Sequence, residues 1–161
     1  MAAVDFFLKL EGIDGESTDE THVKWIEVES FSWGVSNPTT ISSTTGGAGA
    51  GKAVPSDFSL VIPVSSASPK IFLKVVTGQF IDNATLSARK AGGRGSTEFL
   101  KYDFDTVFVS SLTTEGSGDV PMEQISLRFA KVQVAYTPQK ADGSPGLPIT
   151  AGWDFLKNAS A

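Results

Sequence analysis

The amino-acid sequence predicts a mainly β protein: a small antiparallel β-barrel of two sheets with one short flanking α-helix. Three observations carry this prediction. Apolar and polar residues alternate over several long runs, turn residues punctuate those runs at hairpin-like spacing, and only one stretch has helical periodicity. About seven strands result, the pattern of an antiparallel barrel or sandwich. The 161 residues contain no internal repeat and no linker, so 1–161 reads as a single domain.

The first strand is Val4 to Leu10, ended by Gly12 and the polar run 14–19. His22 to Val35 reads as a second long strand. Phe31 and Trp33 share one face and Ser30 and Ser32 the other, while Trp25, Ile26 and Val28 break that parity and predict a bulge. Asn37-Pro38 ends it. Residues 38–51, PTTISSTTGGAGAG, have no apolar periodicity, and so long a structureless stretch is normally functional or disordered. Lys52 to Val64 returns to strand through Phe58, Leu60 and Ile62, with Pro55 and Pro63 confining it to an edge or to strand ends.

The helix comes next, with Ser68 as N-cap, Pro69 at the first helical position, Lys70 to Thr77 as body and Gly78 as stop. Ile71, Phe72, Val75 and Val76 form its apolar stripe. Ala84, Leu86 and Ala88 mark another strand, closed by the glycines of 92–95. Phe99 to Leu112 is long and apolar on both faces, and Thr114 to Asp119 is a loop.

The longest alternation runs from Gln124 to Gly143. Ile125, Leu127 and Phe129 share one parity and Val132, Val134 and Tyr136 the other, so the buried face changes near Ala130 and Lys131. Either a bulge re-aims the strand, or the strand is buried first on one side of a sheet and then on the other. Pro138 and Ala141-Asp142-Gly143 stop it, and Trp153 and Phe155 fall on a last short strand.

Composition excludes several kinds of function. Without cysteine there is no disulfide, thiolate metal site or cysteine nucleophile. The single histidine, His22, reads as a hydrogen-bonding residue at a loop–strand junction, since a metal site or a triad needs partners the chain lacks. A net charge of −5 with no Lys/Arg cluster argues against nucleic acid. No run is long enough to span a bilayer and the N-terminus has no signal-peptide pattern, so the expectation is a protein made in the cytoplasm without membrane insertion.

Two motifs invite chemistry. Gly46 to Lys52 fits G-x-x-x-x-G-K, but Ala53 stands where a phosphate loop needs Ser or Thr, and the chain continues as an alternating strand where a helix should start; the nucleotide reading is rejected. Asp103 and Asp105 lie two apart on one strand face, a spacing open to an acid/base pair. On a mostly apolar strand it fits better a solvated or subunit-facing stripe. No cofactor and no enzymatic activity are expected.

The run Gly15-Glu16-Ser17, Asp19, His22, Trp25-Ile26-Glu27-Val28 and Phe31-Ser32-Trp33-Gly34 resembles the N-terminal signature of the haemolysin-coregulated protein (Hcp) family, the tube subunit of bacterial type VI secretion. The glycine-rich loop ending in Gly51-Lys52 and the stretches Arg89 to Gly93, Val109-Ser110-Ser111, Phe129 to Val132, Tyr136 to Gly143 and Gly152-Trp153 extend the resemblance from end to end. Val61-Ile62-Pro63-Val64 departs from it, since the family is usually more polar there. The resemblance implies a homo-hexameric ring, rings stacked into a tube inside a contractile sheath, a spike at the tip, and small effector proteins carried in the lumen. It further implies export through that machine to the exterior or a target cell. It makes Ser32 a candidate lumen and effector contact, and Pro38, Thr39, Thr40, Gly46, Gly47, Gly49, Gly51 and Lys52 a candidate ring-stacking loop. A tail-tube subunit of a phage or extracellular contractile particle is the alternative. Physically, a ring needs a heterologous interface that closes, and stacking needs a second one that does not.

Overall fold

The computed structural model describes residues 4–42, 47–90 and 97–161, the side chains of 40–50 excepted. Thirteen strand segments and one helix succeed one another: β1 (Val4–Leu10), β2 (Ile26–Val28), β3 (Ser30–Ser32), β4 (Val35–Ser36), β5 (Thr39–Ser42), β6 (Gly47–Ala50), β7 (Val54–Pro55), β8 (Phe58–Pro63), α1 (Ser68–Thr77), β9 (Ile81–Lys90), β10 (Thr97–Glu115), β11 (Met122–Tyr136), β12 (Ile149–Asp154) and β13 (Ala159–Ser160). Nine of the strands form one antiparallel sheet in the order β13-β12-β11-β10-β9-β1-β2, with β8 branching from β11 and β3 from β8. The mainly β, antiparallel architecture with one helix is therefore the one the sequence predicts. Among the described residues the path does not close into a barrel by strand pairing; β2 and β3 meet at a corner where the Glu29 amide donates to the Val61 carbonyl at 2.8 Å.

β11 is the strand the two layers share. One edge pairs with β10 throughout, while the other edge pairs with β8 from Met122 to Leu127 and with β12 from Lys131 to Tyr136. The change of buried parity falls where the second partner changes, at Ala130. The ladder to β10 keeps its register across that point, so no bulge sits there. Instead Thr106, which falls opposite Ala130 in this register, adopts a φ of 53°, and the inward face of β10 switches from Phe104 to Val107 at the same level. A register shift does occur further on, between Val109 and Ser111.

Other expectations shift in detail. The stretch from His22 to Val35 is not one strand: His22 to Trp25 turns, β2 pairs with β1, and β3 leaves for β8. The parity break in the sequence is this change of partner. Residues 38–51 are not structureless, since β5 and β6 form a two-stranded ribbon with Thr39 opposite Ala50. β10 continues to Glu115, beyond the expected end at Leu112, and Phe155 lies just past β12. Among the described residues the strand segments number thirteen rather than about seven, because long apolar runs break where they change partner.

The helix begins one position earlier than its sequence signals suggest. Ala67 is the N-cap, without a side-chain cap, and Ser68 is the first helical residue, which makes Pro69 the second. Ser68 Oγ is engaged elsewhere: it donates to Glu123 and accepts from the Ser65 amide at 3.0 Å. Gly78 stops the helix as expected, in the left-handed region at φ 68°, its N–H donating to the Lys74 carbonyl.

The core lies between the layers, and its centre is aromatic. Phe58 is fully buried and its ring meets those of Phe31, Trp33, Tyr102 and Phe104 at centroid distances of 5.5, 5.9, 5.4 and 5.1 Å. In the stretch departing from the family pattern, Ile62 is fully buried while Val64 remains exposed.

Candidate functional site

The strands β3, β8, β11 and the second half of β10 lie side by side, and their outward face is small and polar. β8 sets the alternation: Phe58, Leu60 and Ile62 point into the core, so Ser59, Val61 and Pro63 point away from it. Register aligns Ser32 with Ser59, Ser59 with Ser126 and Ser126 with Ser111, a row of four serines straight across four strands. The next row is Ser30, Val61, Gln124 and Thr113. Neither row contains a charge. On the far side of the serine row, Arg128 Nε donates to Asp57 at 2.9 Å and Ser110 Oγ donates to the same carboxylate at 2.8 Å, a tie that crosses β11.

Both lateral edges of this four-stranded layer lack a further strand among the described residues. β3 pairs only with β8, and β9 follows β10 no further than Val107, leaving Phe108 to Glu115 paired on one side alone. An unpaired edge is a template for another chain unless something covers it.

Of the residues singled out in the sequence, Ser32 is exposed and heads the serine row. Its neighbours in that row, Ser59, Ser126 and Ser111, were not anticipated. Parity gives their outward direction, but lateral register between distant strands cannot be read from one chain. The candidate stacking residues divide. Pro38, Thr39, Gly51 and Lys52 are exposed at the base of the β5–β6 ribbon, and Thr40, Gly47 and Gly49 lie within its strands; Gly46 lies outside the described residues. Gly51 lets the two legs close, because a side chain there would run into the Pro38 carbonyl oxygen. Gly51-Lys52 leads into β7, a strand paired with β4, rather than into a helix, which agrees with rejecting a phosphate loop.

The aspartate pair is drawn apart. Asp103 accepts from Thr85 Oγ1 at 2.9 Å and lies 3.7 Å from Lys101, while Asp105 lies 3.7 Å from Lys131. Each carboxylate answers a neighbour on its own side.

His22 is a buried hydrogen-bonding hub. Its ring stacks on Phe7 at 4.6 Å and meets the edge of Trp25, its Nε2 lies 3.0 Å from Ser87 Oγ, and its Nδ1 lies 2.8 Å from Thr21 Oγ1 and 3.2 Å from Asp19. Ser87 in turn donates to Glu98 at 2.5 Å, and Arg89 pairs with Asp19. An Asp–His–Ser series has the order of a nucleophilic triad, but Ser87 is fully buried, so no substrate reaches its oxygen. The cluster ties the 17–25 loop to β1, β9 and β10. Its members are up to 91 positions apart, from Phe7 to Glu98, beyond what local spacing reveals.

Asp19 is the titratable anchor of that cluster. Burial works to raise its pKa, but hydrogen bonds from the Thr21 side chain, His22 and the Thr21 amide, with the Arg89 charge, outweigh it and hold the group at about 2 instead of 3.8. Because the folded value is the lower one, the stabilisation is complete above about pH 4 and is lost as pH falls toward 2. Allowing for solvent at the carboxylate, it amounts to about 1 kcal/mol. Urea midpoints of the wild type and Asp19→Asn are expected to differ at pH 7 and to draw together as pH falls to 2 and below; a gap that stays constant with pH would remove the assignment.

A two-layer β protein with a charge-poor face between two open edges is of the class that assembles edge to edge. Comparison with known proteins makes this specific. The family described as "Type VI secretion system effector, Hcp" matches residues 7–136. Protein hcp1 of Pseudomonas aeruginosa is 40% identical, with 99% of each chain covered. A solved type six secretion system protein superposes with TM-score 0.92 at 36% identity over 99% of this chain and 100% of its own. Hcp1 from Salmonella typhimurium superposes with TM-score 0.80 at 34% identity over 99% of each chain. The chain belongs to the Hcp family, the tube proteins of type VI secretion.

Proposed function

We propose that the chain works as a single domain in a hexameric ring, with the β3–β8–β11–β10 face turned to the lumen. Rings stack through the β5–β6 ribbon, which among the described residues pairs with no further strand and so stands ready to reach a neighbour. The tube lies within the sheath, carries the spike, and holds small effector proteins against the serine rows. The protein is made in the cytoplasm, leaves through the machine, and catalyses nothing.

The observation that carries this reading is the serine row. Four short hydroxyl side chains on adjacent strands give a surface without protrusion or fixed charge, suited to sliding contact with varied cargo. Its two ends coincide with the two open edges, so repeating the layer around an axis makes the row continuous.

Light scattering coupled to size exclusion tests the ring. A mass six times that of the chain, with an open annulus by negative stain, is the expected result; a monomer at every concentration would sink the reading. Ser32→Arg with Ser126→Arg is expected to leave the ring mass unchanged and to abolish co-elution of effector proteins. Unchanged effector binding would remove the lumen assignment.

A further inference from the structure

The uncharged rows of the β3–β8–β11–β10 face give way, on one side, to a charged pair. Alternation along β11 puts Gln124, Ser126 and Arg128 on the same outward side, so Arg128 stands just beyond the serine row, with its side chain 72% exposed. Among the described outward residues of β3, β8, the first half of β11 and the second half of β10, it is the one cation.

An exposed arginine ordinarily samples many rotamers, and ordering it costs entropy. This one is held. Its Nε donates to one oxygen of Asp57 at 2.9 Å, and the other oxygen accepts from Ser110 Oγ at 2.8 Å, so the carboxylate is itself fixed from β10. Both Asp57 oxygens are thereby committed, while neither terminal nitrogen of Arg128 has a hydrogen-bond partner among the described residues. The guanidinium is anchored through its inner nitrogen. The Nη1–Nη2 edge, which can donate two parallel hydrogen bonds to a single carboxylate, is left open and already oriented.

We infer that Arg128, positioned by Asp57 and Ser110, is a docking point for a carboxylate of the cargo, either an acidic side chain or a chain end. This rests on the lumen reading above and names the chemistry its cargo would offer. The serine rows accept any polar surface, whereas the fork adds one contact with a fixed direction. Ordering the arginine in advance removes part of the cost of binding. An exposed ion pair of this kind is weak singly, but a ring repeats it around the lumen, where several contacts to one cargo act together. Cargo held this way stays with the ring and is released when the subunits separate.

The test titrates the full chain into rhodamine-labelled peptides at low salt, read by anisotropy. Hexaglutamate with an amidated C-terminus offers side-chain carboxylates alone, hexaglutamine with a free C-terminus offers the chain end alone, and hexalysine offers neither as an amide. At least one of the first two is expected to bind, less tightly as salt rises, and the amidated hexalysine is not. Arg128→Gln is expected to weaken that binding roughly tenfold or more, with far-ultraviolet dichroism unchanged. Arg128→Lys keeps the charge without the fork and is expected to recover little of it. No binding of either carboxylate peptide, equal affinity of the wild type and Arg128→Gln, or full recovery in Arg128→Lys overturns the site. Because the fork lies within one chain, its failure is distinct from that of the ring. A wild-type ring indifferent to Arg128→Gln sinks the fork and leaves the ring standing, and a wild-type monomer that loses peptide binding with Arg128→Gln does the reverse.

Discussion

Phe58→Ala is expected to cost about 3–5 kcal/mol of folding stability, the loss typical of truncating a fully enclosed aromatic ring. The position is extreme because Phe58 is fully buried at the meeting of both layers: Phe31 and Trp33 come from the β3 side and Tyr102 and Phe104 from β10. No single neighbour can move in to fill the void without leaving its own strand. The measurement is a urea midpoint at neutral pH, read with its slope so that a change in denatured-state compactness is recognised. A loss below about 1 kcal/mol would mean that the cluster collapses around the gap, and the rigidity assigned to it would be wrong. Phe58→Leu leaves a smaller cavity and is expected to fall between the two.

Ser68→Ala is expected to cost about 2–3 kcal/mol, more than a lost helix cap commonly does. Ser68 caps nothing; its hydroxyl is the donor that meets the buried Glu123 carboxyl, whose other oxygen accepts from Thr114 Oγ1 at a long 3.5 Å. Removing the hydroxyl strands an acid inside the protein. The distinguishing experiment is the double variant Ser68→Ala/Glu123→Leu, which removes both partners and is expected to recover most of the loss. If the single and double variants are equally destabilised, Glu123 is not the reason Ser68 matters.

The sequence displays the direction of side chains well and the identity of strand partners poorly. β1, α1 and the stops at Gly78 and Pro138 lie within a residue or so of where propensity and turn chemistry place them, because these signals are local. Ser32 and Ser30 face away from Phe31 and Trp33 as alternation requires. What one chain cannot display is lateral register. The change of parity at Ala130 is plain in the letters, but that β11 trades β8 for β12 there is a fact of topology. The break between Val28 and Ser30 is likewise a change of partner rather than a bulge. The β5–β6 ribbon is not legible in the sequence because Thr, Ser, Gly and Ala give no apolar periodicity. The serine row was visible only at its first member, since the other three come from strands up to 94 positions away.

The continuous run of β11 between two layers also has a mechanical meaning. Its ladder to β10 extends from the Leu100–Tyr136 pair to the Glu115–Met122 pair, so force along the strand direction loads many hydrogen bonds at once and in shear. The layers cannot slip past one another, because sliding would require one unbroken backbone to move in two directions. A subunit wired this way transmits a sudden axial push as a rigid block, and it yields first at the short strands β2, β3 and β13, which hold on by two or three register pairs each.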